Sequence, residues 1–272
     1  GRCGASFCSL VRRVVGPNES CMRPSWQEGE VTLDGAPRGG ELEASASRFA
    51  LLRSDENPTA KWRLSVSLDR ITIRPAHASD GSPLHLETGR SKLGQRLLGA
   101  RRDDPLPRAC GLHRRPTPPR VVDATAGLGR DSLVLAHLGC RVDALEREPA
   151  LAFVTHVLAG ACGLRDRLTV HRAEAVAWLG SLAEAARPDV VYLDPMFEEH
   201  GSAQVKKDMQ ICRLLAGPAE APEPLLAAAR AVAKERVVVK RHHGAAELAP
   251  GVSFAVPGER IRFDVYLTAP AT

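Results

Sequence analysis

The pattern of hydrophobic and polar residues differs between the first part of the chain and the part that begins at Arg120. From Arg120 onward, short apolar runs typical of buried strands cover 121–124, 140–146, 167–171, 189–194 and 236–241. Segments with helical spacing separate them, at about 130–138, 149–161, 173–186, 204–215 and 222–234, and 252–256 with 260–267 closes the chain as an antiparallel pair. Strands alternating with helices predict an α/β fold, a Rossmann-like doubly wound sheet whose last strand is antiparallel.

The first part of the chain has a different pattern. Residues 1–40 show no periodicity and are expected to be disordered or extraneous. Residues 41–104 are predicted to form a small α+β extension, with a helix within 41–53 and a hairpin over 62–74. The Pro/Arg-rich stretch 105–119 is expected to be a linker to the main domain, 120–272.

Composition narrows the class of protein. The 272 residues are 44% hydrophobic and 25% charged, which is typical of a globular protein. No apolar run reaches the roughly 18 residues of a membrane span, so no membrane partner is expected. Seven cysteines without a C-x-x-C pair favour neither disulfides nor a metal site, and they indicate a reducing cytoplasm.

Positive charge is concentrated before the main domain. Residues 84–119 hold eight Lys and Arg against three Asp and Glu, whereas 120–272 hold 18 against 19. This segment, which includes Arg102, indicates a polyanionic partner or, since the whole chain is rich in Arg, an ordinary solvated surface.

The turn after the first main-domain strand indicates a ligand site. Gly127 and Gly129 allow the backbone to approach a ligand at a helix N-terminus, although the third glycine of a dinucleotide fingerprint is Ser132. Asp123 at the strand end favours a positively charged ligand, because it would repel a pyrophosphate.

Glu146 ends the next strand, where α/β nucleotide-binding folds place the acid that accepts ribose hydroxyls. S-adenosylmethionine carries ribose hydroxyls, an ammonium and a sulfonium, so it is the predicted cofactor. Arg147 leaves open an alternative, the 2′-phosphate of NADP in a dehydrogenase.

The residues after the fourth main-domain strand, Asp194-Pro195-Met196-Phe197, match the [N/D]-P-x-[F/Y] pattern of methyltransferases that act on exocyclic amines. Such a nitrogen is a poor nucleophile, and a carboxylate with the next backbone carbonyl can orient it by accepting its N–H bonds. Asp194 and Pro195 are therefore predicted catalytic residues, and Phe197 a face on which a splayed-out base stacks.

Cations are expected to flank the same crevice. Lys206 and Lys207 follow the Asp-Pro loop, and Lys240 and Arg241 end the fifth main-domain strand. Together with Arg102 they are predicted to bind RNA phosphates.

These motifs together resemble the RsmJ-type 16S rRNA (guanine-N2)-methyltransferase family. The matching stretches are DATAGLGRD (123–131), LGCRVDALER (138–147), YLDPMF (192–197), VKKDM (205–209), RVVVKR (236–241) and RFDVY (262–266). The resemblance implies a class I S-adenosylmethionine methyltransferase fold, a 16S rRNA or small-subunit partner, and no metal.

The resemblance also implies cofactor contacts at Arg130-Asp131, Glu146-Arg147, Asp194 and a pair after the third main-domain strand. That pair is commonly two serines in relatives and is Ala173-Glu174 here. Two alternatives stay open: methylation of another amine, in DNA adenine or protein, and a non-catalytic RNA-binding protein on the same fold.

Overall fold

The computed structural model describes residues 31–34, 40–67, 70–77, 82–87, 92–195 and 221–268. The first sheet has five strands in the order β2-β1-β3-β4-β5. Its elements are β1 Val31–Asp34, α1 Glu41–Arg48, β2 Leu52–Arg53, β3 Trp62–Val66, β4 Arg70–Pro75 and β5 Leu84–Glu87, followed by helix α2 Lys92–Gly99.

This sheet contains the predicted hairpin, and residues 31–34, which were expected to be disordered or extraneous, form one of its strands. β3 and β4 pair antiparallel, with Val66 opposite Ile71. β1 lies between β2 and β3 and runs parallel to both, and its Val31 and Leu33 are buried. Four residues are too few for a periodicity to show, and pairing on both sides stabilises the strand.

The expected linker is packed structure over much of its length. Pro105–Ala109 forms helix α3, and a 3₁₀ helix follows at Leu112–Arg114. Leu106, Ala109 and Leu112 are buried, although prolines usually predict a loop. Pro105 lies at the start of α3, where its missing N–H breaks no helical hydrogen bond.

The second sheet has seven strands in the order β11-β12-β10-β9-β6-β7-β8. Its strands are β6 Arg120–Asp123, β7 Arg141–Glu146, β8 Leu168–Arg172, β9 Val190–Leu193, β10 Arg236–His242, β11 Phe254–Pro257 and β12 Ile261–Leu267. The helices are α4 Arg130–His137, α5 Pro149–Ala161, α6 Ala175–Gly180 and α7 Pro222–Val232, with a 3₁₀ helix at Glu184–Ala186. The helix predicted over 173–186 is therefore shorter, and the one over 204–215 lies outside the described residues.

The topology confirms the predicted α/β fold. β6 pairs in parallel with β7 and β9, and β12 is antiparallel to both of its neighbours. After β6 the chain continues to β7 on one side, and after β9, the neighbour of β6 on the other side, it continues to β10. The connections after these two adjacent strands therefore run in opposite directions, which makes a topological switch point. Ligands of open α/β sheets bind there, beyond the carboxyl ends of the strands.

The two sheets share one hydrophobic core. Leu64 and Ile73 of the small sheet belong to the same buried cluster as Leu133 of α4 and Phe153 of α5. A second cluster lies on the other face of the large sheet, beneath α6 and α7. Among the described helices, none combines the length and apolar character that crossing a membrane requires.

Candidate active site

A cavity of about 350 Å³ opens beyond the carboxyl ends of β6, β7 and β9. Its size is that of a small-molecule site. Seven of the predicted site residues line it, namely Gly127, Glu146, Arg147, Ala173, Glu174, Asp194 and Pro195. Residues from four separate chain segments therefore meet at one place.

The two glycines of the turn have different structural reasons. Both have positive φ, +54° at Gly127 and +67° at Gly129, a backbone region that disfavours other residues. A Cβ at Gly127 would meet nothing within 4 Å, whereas a Cβ at Gly129 would lie 2.3 Å from Cγ2 of Thr155. Gly127 thus leaves space open beside the cavity, and Gly129 allows α5 to approach the turn.

Glu146 lines the cavity and is buried. Its carboxylate accepts the N–H of Gly127 and the N–H of Glu148, each at 2.8 Å. Burial raises the pKa of Glu146, and the two N–H donors oppose that shift. Each carboxylate oxygen has two lone-pair directions, so acceptor capacity remains for a ligand hydroxyl.

Asp123 lies beneath the turn instead of pointing into the crevice as expected. Its carboxylate accepts the Ser132 hydroxyl and the Thr125 N–H, and the side chain is buried. Burial raises the pKa of Asp123 to about 7, which the bond from Ser132 opposes. Asp123 therefore tethers the turn to the first turn of α4 rather than lining the cavity.

Residues at the starts of α6 and α7 also line the cavity. Glu174 caps α6 by accepting the N–H groups of Val176 and Ala177, at 2.9 and 2.7 Å. Val176, Pro222 and Leu225 add apolar surface to the same cavity. A cavity lined by both acids and apolar groups fits a nucleoside.

Asp194 is fixed at the end of β9. Its backbone N–H donates to the Thr125 hydroxyl at 2.6 Å, which joins the Asp-Pro segment to the glycine turn. Its side chain keeps 40% of its surface exposed in the cleft. Enclosure raises the pKa of Asp194, Lys240 opposes this shift, and the nearby Asp131 adds to it.

Lys240, which is predicted to bind RNA, bridges two carboxylates in the structure. Its Nζ lies 2.7 Å from Oδ2 of Asp194 and 3.1 Å from Oδ2 of Asp131. Asp131 also accepts the Tyr192 hydroxyl at 2.7 Å and the Arg96 guanidinium at 2.5 Å. Burial would raise the pKa of Asp131, but the two cations outweigh it and hold that pKa well below the usual range.

Two other predicted RNA-binding cations, Arg241 and Arg102, do not line the cavity. Arg241 is buried, and its guanidinium donates to the carbonyl of Ala246, so it braces a loop. Arg102 is exposed and donates to the carbonyl of Arg115 at 3.0 Å. Arg115 pairs with Glu235, just before β10 begins, so Arg102 lies near the edge opposite the cavity.

Two predicted cofactor contacts do not line the cavity either. Arg130 is exposed at the start of α4, and Asp131 belongs to the charge cluster with Lys240. Phe197, Lys206 and Lys207 lie outside the described residues. In the part of the chain that the structure describes, no group of three or more His, Cys, Asp or Glu is arranged to hold a metal ion.

Sequence reasoning missed several residues that shape the site. Thr125 lies inside the glycine-turn motif, and its hydroxyl next to a strand end was the available signal. Arg96 and Tyr192 reach the cluster through tertiary packing, which no local pattern shows. The residues of α7 that line the cavity are apolar and carry no chemical signal.

Sheet order and cavity together define a class I S-adenosylmethionine-dependent methyltransferase. The similarity of the chain to known proteins agrees with this class. Residues 45–268 match the family model described as "Putative SAM-dependent methyltransferase". A SAM-dependent methyltransferase from Neisseria gonorrhoeae, 28% identical, superposes with a TM-score of 0.65 over 89% of this chain and 97% of that one.

Sequence relatives narrow the family. Ribosomal RNA small subunit methyltransferase J from Nitrosococcus oceani is 42% identical over 216 residues, 75% of this chain and 84% of the relative. The Pseudoalteromonas atlantica protein of the same name is 38% identical over 259 residues, 89% and 90% of the two chains. The chain belongs to the ribosomal RNA small subunit methyltransferase J family, and its cofactor is S-adenosylmethionine. The dehydrogenase alternative is therefore wrong.

Proposed function

We propose that this enzyme methylates the exocyclic N2 amine of one guanosine in 16S rRNA, in the cytoplasm. The names of its relatives support a small-subunit rRNA substrate. The observation that carries the proposal is that Asp194 and Pro195 line the same cavity as Glu146 and Gly127. The carboxylate proposed to orient the amine and the carboxylate proposed to accept ribose hydroxyls thus line one cavity.

The cavity fits the cofactor. Glu146 would accept ribose hydroxyls, since its carboxylate lies at the strand end with acceptor capacity left. Glu174 and the apolar wall from Val176 to Leu225 would enclose the adenine, with Arg147 and Ala173 beside them. Gly127 leaves the space into which a side chain would otherwise project.

S-adenosylmethionine supplies, when bound, an electrophilic methyl group on its sulfonium. The protein has to orient a weakly nucleophilic amine. The Asp194 carboxylate and the Pro195 carbonyl would accept its two N–H bonds, which fixes the nitrogen and favours the positive charge that develops on it. The nitrogen lone pair would form the new N–CH₃ bond as the S–CH₃ bond breaks with its electron pair left on sulfur, and Asp194 would accept the amine proton directly or through water.

RNA binding completes the proposal. Phe197 follows the Asp-Pro pair and would stack the extruded guanine, because every base offers a π-face to an aromatic ring. Lys206 and Lys207 would bind neighbouring phosphates.

The test is to incubate the purified protein with tritiated S-adenosylmethionine and small subunits, or free 16S rRNA, from a host lacking this modification. After digestion, the labelled nucleoside is identified by chromatography. We expect N2-methylguanosine at one position, and no label with Asp194→Ala protein of matched folding.

Other labels would refute the substrate assignment. Label in N6-methyladenine of added DNA, or in protein, would identify another amine. RNA binding without label, together with intact S-adenosylmethionine binding, would favour the non-catalytic alternative.

A further inference from the structure

Four alternating charges connect the small N-terminal sheet region to the predicted catalytic carboxylate. Arg96 of α2 contacts Oδ1 of Asp131 at 2.5 Å, and Lys240 contacts Oδ2 of Asp131 at 3.1 Å and Oδ2 of Asp194 at 2.7 Å. We name this row the charge chain: Arg96, Asp131, Lys240 and Asp194. Its members come from α2, α4, β10 and the end of β9.

We propose that Lys240 and Arg96 are positioning residues, which hold Asp194 through the charge chain so that its other carboxylate oxygen faces the substrate amine. The inference rests on the proposed role of Asp194. It assigns the N-terminal extension an indirect part in the reaction, because Arg96 acts on Asp194 through Asp131 and Lys240.

The geometry of Asp194 favours this role. Its backbone is anchored to Thr125 and its Oδ2 to Lys240, so the side chain is held at both ends. Within the described contacts, no donor engages Oδ1, and the side chain is 40% exposed in the cleft. A general base fixed in this way presents one oxygen without searching among rotamers.

Arg96 affects Asp194 because the carboxylates of Asp131 and Asp194 both pair with the ammonium of Lys240. With Arg96 present, Asp131 has a cation of its own as well as the Tyr192 hydroxyl. Without Arg96, Asp131 would draw Lys240 away from Asp194, and the chain would change from neutral to a net charge of −1. Both effects favour protonation of Asp194.

The other charged groups near Asp194 do not replace Arg96. Asp123 of β6 is buried on the far side of the turn and adds negative charge. His242 of β10 lies close enough to favour the anionic form of Asp194, and it is exposed to solvent. Tyr192 of β9 donates its hydroxyl to Asp131 and is otherwise buried.

The test compares full-length wild type with Arg96→Gln, Arg96→Lys and Lys240→Gln. The matched control is Arg101→Gln, since Arg101 is an exposed cation that follows the same helix and forms an ion pair with Asp103 at 3.5 Å. Titration of the Asp194 carboxyl carbon is followed by ¹³C NMR, with Asp194→Asn providing the assignment. The pH profile of single-turnover methyl transfer to 16S rRNA is measured in parallel.

We expect Arg96→Gln to raise the pKa of Asp194 by about one unit, and Lys240→Gln by more, because each removes an attractive charge. The acid limb of the rate profile should move to higher pH with it, and at pH values below the wild-type pKa of Asp194 the rate should fall about tenfold. Arg96→Lys should restore most of both, while Arg101→Gln should leave the titration of Asp194 unchanged.

Two results would overturn the proposal. One is an unshifted Asp194 titration in Arg96→Gln and Lys240→Gln, and the other is a lower rate with an unchanged pH profile. The NMR titration needs no substrate. It therefore tests the charge chain even if the wild-type protein does not methylate 16S rRNA. That failure would refute only the proposed function.

Discussion

Replacing Gly129 by alanine should destabilise the enzyme far more than replacing Gly127, although both glycines belong to one short motif. The left-handed backbone at either position costs a non-glycine residue about 1–2 kcal/mol. At Gly129 the new Cβ would also lie 2.3 Å from Cγ2 and 2.9 Å from Oγ1 of Thr155. Thr155 is buried within α5 and β-branched, so it cannot rotate away cheaply.

Overpacking of this kind costs about 1–3 kcal/mol, so Gly129→Ala should lower the free energy of unfolding by about 2–5 kcal/mol. Gly127→Ala should lower it by only about 1–2 kcal/mol, since its Cβ meets no protein atom within 4 Å. That methyl group enters space beside the cavity, so Gly127→Ala should instead weaken S-adenosylmethionine binding. Urea unfolding followed by circular dichroism measures the first effect, and calorimetric titration the second.

A double-mutant cycle with Thr155→Ala isolates the overlap. That substitution removes both clashing atoms and leaves only Cβ of residue 155, at 3.2 Å. It also removes the bond from the Thr155 hydroxyl to the Gly127 carbonyl, which costs about 1 kcal/mol alone. The coupling energy should be about 1–3 kcal/mol in favour of the double variant. Zero coupling, or equal destabilisation by the two glycine variants, would refute the steric argument.

Three further predictions concern the acids. Asp194→Ala should abolish methyl transfer while cofactor affinity stays within about tenfold, and wild-type turnover would remove Asp194 from the mechanism. Glu146→Gln should weaken S-adenosylmethionine binding about tenfold or more by calorimetry, since a carboxylate is the stronger hydroxyl acceptor; unchanged affinity would exclude the ribose role. Because the folded-state pKa of Asp123 is raised to about 7, the folded state holds its proton longer than the unfolded chain. Stability should therefore fall as pH rises from about 4 to about 7, and Asp123→Asn should flatten that part of the curve of unfolding free energy against pH.

Local patterns predicted the large sheet well because its strands and helices are regular and fully amphipathic or buried. The helix expected from Pro149 to Ala161 has those bounds in the structure. The pattern could not show β1, whose stability depends on pairing with Leu52–Arg53 and Trp62–Val66. It also misjudged Pro105–Ala109, because prolines at a helix start look like those of a loop.

Sequence analysis was best at predicting which residues line the cavity where those residues lie at the carboxyl end of a strand. Glu146 and Asp194 line the cavity because parallel strands bring their carboxyl ends to one edge. Side-chain direction decided the rest. Asp123 and Arg241 also lie at strand ends. However, Asp123 accepts the Ser132 hydroxyl beneath the glycine turn, and Arg241 donates to the backbone carbonyl of Ala246. Spacing along the chain does not determine such directions.

The shared core has a consequence for the stability of the whole enzyme. Since Leu64 and Ile73 pack in the same cluster as Leu133 and Phe153, neither sheet can unfold without exposing the other's apolar surface to water. Calorimetry should show one melting transition, and a fragment beginning at Arg120 should be aggregation-prone rather than a trimmed enzyme. Substitutions in the small sheet would then lower methyltransferase abundance without touching the reaction.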